Sequence, residues 1–96
     1  MTITVNGASV EIPNLEVSLQ IPTKQDPRCL ITLQAPVTGQ LALAGLANEE
    51  SDVTVFYSDG TQVCSGKGIA RTHTLRTVGG RDMETLIIEL SDVQGL

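Results

Sequence analysis

Apolar and polar residues alternate with a period of two through most of this chain, and that pattern admits few structures other than half-buried β-strands. In Leu15-Glu-Val-Ser-Leu-Gln-Ile21 it places Leu15, Val17, Leu19 and Ile21 on one face and Glu16, Ser18 and Gln20 on the other. In 28–34, Cys29, Ile31 and Leu33 share a face in the same way, and 83–90 forms a last strong run. Turn chemistry separates the runs. Asn6-Gly7 lies between 2–5 and 8–12, and Asp59-Gly60 between 52–58 and 61–75; both dipeptides accept the positive φ angles of tight hairpin turns. Pro22 and Pro27, which cannot donate to a sheet ladder, bracket a polar connection. About seven strands in 96 residues predict one all-β domain over 1–96, an antiparallel β-barrel or sandwich.

Two stretches interrupt the alternation. Gln40-Leu-Ala-Leu-Ala-Gly-Leu-Ala47 is rich in helix formers, with Leu43, Leu46 and Ala47 at helical spacing, which predicts a short helix or helical turn near 40–47 that plugs one end of the sheet. Gly66 and Gly68 lie inside a strand, where glycine marks a bulge, a bend or the close approach of another backbone. Residues 78–82 read as a loop. The core must be aliphatic, because Phe56 and Tyr57 are the only aromatic residues.

The residues that could carry chemistry are few, and no catalytic, cofactor or metal site is expected. His73 is the single histidine; with Cys64 or a serine it could in principle form a nucleophile–base pair, but no GxSxG elbow is present. Glu49-Glu50 and Asp82/Glu84 are paired acids without EF-hand spacing, and read as solvated loop charge. Gly66-Lys-Gly68 and Gly79-Gly-Arg81 pair glycine with a cation without forming a P-loop. Cys29 and Cys64 lack CxxC spacing and read as buried free thiols of a reducing compartment. A net charge of −5, with no aromatic residue among the basic residues of 67–81, argues against nucleic-acid binding. The start, Met1-Thr-Ile-Thr-Val-Asn-Gly7, has neither a basic nor an apolar character, and no apolar run approaches the ~18 residues of a membrane span, so synthesis in a cytoplasm is expected.

What remains points to contact with other subunits. The strands at 53–58 and 86–90 carry apolar side chains on both faces, so their second face needs a cover, from 41–47 or from a partner. Charge is also segregated: 61–81 contains Lys67, Arg71, Arg76 and Arg81 and no acid, whereas 42–60 contains Glu49, Glu50, Asp52 and Asp59 and no base. Such segregation steers one copy of a chain onto another. Phe56, Gly66, Gly68 and these eight charged residues are therefore the expected subunit-contact residues.

Three stretches, 52–61 (Asp-Val-Thr-Val-Phe-Tyr-Ser-Asp-Gly-Thr), 64–70 (Cys-Ser-Gly-Lys-Gly-Ile-Ala) and 79–90 (Gly-Gly-Arg-Asp-Met-Glu-Thr-Leu-Ile-Ile-Glu-Leu), together resemble the tail-tube and baseplate-hub β-barrel superfamily of tailed bacteriophages. That resemblance implies a virion structural protein, not an enzyme, whose copies associate into rings by sheet extension as a tail-tube-like or tail-completion subunit. Its partners would be copies of itself and other virion proteins. A capsid cement or decoration protein is the nearest alternative. A stand-alone ligand- or carbohydrate-binding β module is the alternative of another class, disfavoured by the scarcity of aromatic residues that stack on sugars.

Overall fold

The computed structural model describes residues 1–46 and 50–96. Seven strands make one antiparallel sheet: β1 (Thr2–Val5), β2 (Ala8–Ser9), β3 (Glu16–Gln20), β4 (Cys29–Pro36), β5 (Ser51–Phe56), β6 (Gln62–Val78) and β7 (Arg81–Gln94). Their spatial order is β2-β1-β5-β6-β7-β4-β3. The all-β, antiparallel expectation and the strand count hold. Closure does not: β2 and β3 end the sheet and, among the described residues, no ladder joins them, so the molecule is one open sheet and neither a closed barrel nor a two-sheet sandwich.

A flat single sheet has no interior, yet Ile31, Leu33, Val55, Cys64 and Leu86 are all fully buried. The sheet must therefore curl over one of its own faces. Strand pairing fixes which side chains line that face. Opposed residues lie on the same side of a sheet, and Leu33 opposes Leu86 while Ile31 opposes Ile88. Ile3 opposes Val55 across β1 and β5. Each such aliphatic side chain contributes roughly 1.5–3 kcal/mol on burial, so the core rests on many modest terms and not on large aromatic anchors.

A bend in β6 shows as slips of register, at Ser65/Lys67 and Ala70/Thr72 against β7 and at Val55/Phe56 against β5. Glycine is required in this bend for lack of space. A Cβ on Gly68 would stand 2.7 Å from Val53 Cγ2 and 2.9 Å from Ile88 Cγ2, and one on Gly66 would stand 2.7 Å from the Ser91 carbonyl oxygen. Bulges of this kind increase local twist and re-aim a strand, and here they carry the start of β6 across the core. Cys64 of β6 lies near Cys29 of β4 in the same core cluster, although β7 separates the two strands.

The turns follow their sequence signals. Asn6 (φ 52°) and Gly7 (φ 83°) close the first hairpin, although its second arm is only two residues long and not the predicted 8–12. The expected loop at 78–82 is tighter than predicted: Gly79 (φ 59°) and Gly80 (φ 79°) alone join β6 to β7. The predicted helix near 40–47 reduces to a single 3-10 turn, Ala44–Leu46, with Leu43 fully buried beside it; Ala47 lies outside the described residues. Gly45 in the middle of the segment disfavours a longer helix.

Candidate assembly surface and the buried His73–Glu84 cluster

β6 and β7 are much longer than the strands beside them. β5 pairs with β6 only from Gln62 to Gly68, and among the described residues nothing pairs with that side of β6 further on. The segment His73–Val78 therefore has β7 on one side and an open edge on the other. All six residues are exposed, with Leu75 55% and Val78 56% accessible. A shallow cleft of about 190 Å³ adjoins them, lined by Val37, Leu41, Leu75, Arg76, Thr77 and Asp82.

The fold disperses the expected contact residues. Gly66 and Gly68 pack within the chain, as their neighbours above require. Phe56 ends β5, half-buried and opposite Thr2. Asp52 and Lys67 are register partners on β5 and β6 and form an ion pair within one chain. Hydrogen bonding to Asp52 raises the Lys67 ammonium above its ordinary pKa. Arg71 donates through Nε to Glu89 Oε1 at 3.0 Å. Asp59 accepts from the Thr61 amide at 2.8 Å, which lowers its pKa and closes the β5–β6 connection. Glu50 is exposed next to β5, and Glu49 lies outside the described residues. Arg76 and Arg81 make no ion pair with any described residue. Asp52 and Lys67 thus close one acid–base pair between the two charge blocks within one chain, and the bases of 61–81 still available, Arg76 and Arg81, are at the far end of the β6–β7 hairpin.

His73 is brought to Glu84, and Cys64 to Cys29. The single histidine and the candidate thiol nucleophile therefore have different partners. Glu84 is 1% exposed and is not solvated loop charge. Its Oε1 lies 2.6 Å from His73 Nε2, and both carboxyl oxygens accept from the backbone N–H of Leu43 at 3.1 Å. The cluster ties the buried end of the 41–46 segment to β7. Asp82, the other half of that acidic pair, is exposed and accepts from the Thr77 hydroxyl at 2.9 Å. The signal for Glu84 was present in the alternation itself, because Glu84 is in phase with Leu86, Ile88 and Leu90 and so faces the core.

Among the described residues, no group of three or more His, Cys, Asp or Glu side chains converges as a metal site would require. No described helix is long and apolar enough to cross a membrane. No protein-family model, curated protein or solved structure matches the chain.

Proposed function

We propose that this chain is a structural subunit that assembles with copies of itself by extending its β-sheet, and that its setting is the bacteriophage virion, as a tail-tube-like or tail-completion ring protein. The open edge of β6 supports this reading. Monomeric β-proteins protect such edges with proline, clustered charge, bulges or a covering loop, because a row of free N–H and C=O groups is a template for another strand. His73-Thr-Leu-Arg-Thr-Val78 contains no proline and one cation, and its two large aliphatic side chains are more than half exposed. At about 3.3 Å per residue, six residues offer roughly 20 Å of edge, the length of an ordinary strand. The virion setting rests on the resemblance of 52–90 to tail-tube and hub proteins.

Light scattering after size-exclusion chromatography, together with native mass spectrometry, tests the assembly over a wide range of protein concentration. A closed oligomer of defined number, seen as rings by negative-stain electron microscopy, is the expected result. A strict monomer at every concentration would overturn the proposal. Particles from an infected host, labelled with an antibody to this chain, should carry label on the tail; label on the shell would move the subunit to a capsid-cement role.

A further inference from the structure

Resting on the self-assembly reading, we infer that the strand that fills the open edge of β6 is β3 of a second copy, antiparallel, with Glu16 opposite Arg76. β2, with only two residues, is too short to fill the edge, whereas β3 has five and also ends the sheet. Register follows from which face each residue occupies. On β3, Val17 opposes Leu33 and so faces the core side, while Glu16 and Ser18 face outward. On β6, Leu75 opposes Glu84 and faces the core side, while Thr74 and Arg76 face outward.

A continuous sheet keeps like faces together, so only every second register is allowed. Setting Glu16 opposite Arg76 then sets Val17 opposite Leu75 and Ser18 opposite Thr74. One register therefore yields an ion pair, an aliphatic pair and a hydroxyl pair, three of the cross-strand combinations that stabilise sheets. A slip of two residues moves Glu16 opposite Thr74 or Val78 and loses the ion pair. Glu16 and Arg76 each make no ion pair or side-chain hydrogen bond with any described residue, so both charges are available.

The rival occupant is the same edge of a second copy about a two-fold axis. Centred on Arg76, that pairing opposes two guanidinium groups; centred on Leu75, it places Arg76 opposite Thr74 with no acid across from it. Charge therefore favours β3. Pairing two different edges is head-to-tail, and it propagates around a ring or along a filament where a two-fold contact would stop at a dimer.

The test is a charge exchange. Glu16→Arg and Arg76→Glu, both at exposed positions, should each raise the apparent dissociation constant of the assembly at least tenfold while leaving the circular dichroism and melting temperature of the subunit unchanged. The double variant should recover assembly. A second measurement does not depend on charge: Ser18→Cys and Thr74→Cys together should give a ladder of covalent oligomers with a short bismaleimide, and neither variant alone should. Unchanged assembly of both single variants, failure of the double variant to recover, or absence of the ladder in a protein that does assemble overturns this pairing and leaves self-assembly standing. A native chain that stays monomeric overturns the self-assembly reading and this pairing with it.

Discussion

Replacing Glu84 by leucine should destabilise the fold through one backbone group. The carboxyl group is 1% exposed and takes the N–H of Leu43, itself fully buried, at 3.1 Å from both oxygens. Leucine fills a similar volume without an acceptor, so the Leu43 N–H is left buried and unsatisfied, a cost of about 1–3 kcal/mol. His73 also loses its 2.6 Å partner, but its side chain is 26% exposed and water can replace the carboxyl, so this adds less than about 1 kcal/mol. The expected loss is about 1–4 kcal/mol, which for a domain of this size lowers the melting temperature by roughly 4–30 °C. Glu84→Gln keeps an oxygen for the Leu43 amide and should lose under about 1 kcal/mol. Urea unfolding of the three proteins measures the difference, and hydrogen exchange at the Leu43 amide assigns it. A leucine variant as stable as the parent, with the Leu43 amide still protected, would refute the idea that this carboxyl docks the 41–46 segment.

Gly68→Ala should cost about 1–3 kcal/mol, since the new methyl meets the stiff Val53 side chain at 2.7 Å, whereas Gly45→Ala, with nothing within 4 Å, should be close to neutral; thermal melts of the pair check the contrast. The thiols give a pH dependence. Burial raises the pKa of Cys29 and of Cys64, and for Cys29 the neighbouring Cys64 thiol adds to the rise. Above about pH 8.5 the unfolded chain releases thiol protons that the folded chain keeps; the folded state then binds more protons, and stability falls as pH rises. The slope should reach up to about 1.4 kcal/mol per pH unit for each thiol. Urea melts between pH 7 and 10 should show that decline, reduced in Cys64→Ala, and alkylation at pH 9 should be slow until the protein is unfolded.

How much of this was legible in the sequence depended on the range of the interaction. Period-two alternation and Asx-Gly turns are local, and they located seven strands and the first hairpin. The helical turn expected near 40–47 is present but limited to one 3-10 turn, because the leucines serve two separate docking points, Leu43 in the core and Leu46 half-buried against it, and not a continuous helical stripe. Closure was not legible, because whether a sheet's last strands meet depends on the summed twist of every strand between them. The glycines at 66 and 68 announced a bend but not the contacts that demand it, which come from Val53, Ile88 and Ser91, between 15 and 25 positions away.

Charge segregation shows the same division most clearly. Read along the chain, the acids of 42–60 and the bases of 61–81 are two blocks that invite contact between molecules. Strand pairing rearranges them first. The β5–β6 hairpin places Asp52 directly opposite Lys67, so the most local part of the imbalance is neutralised as soon as the hairpin forms, and β7 then supplies Glu89 to Arg71. Of the basic block, only charge beyond the end of β5 escapes, and β6 outruns β5 by ten residues, from Ile69 to Val78. Arg76 is therefore available because of a difference in strand length and not because of its position in a basic block. The acid that complements it, Glu16, lies in neither block, on β3, the longer of the two strands that end the sheet. In a β-protein of this kind, the charges to examine for assembly are those left over once the register has been subtracted.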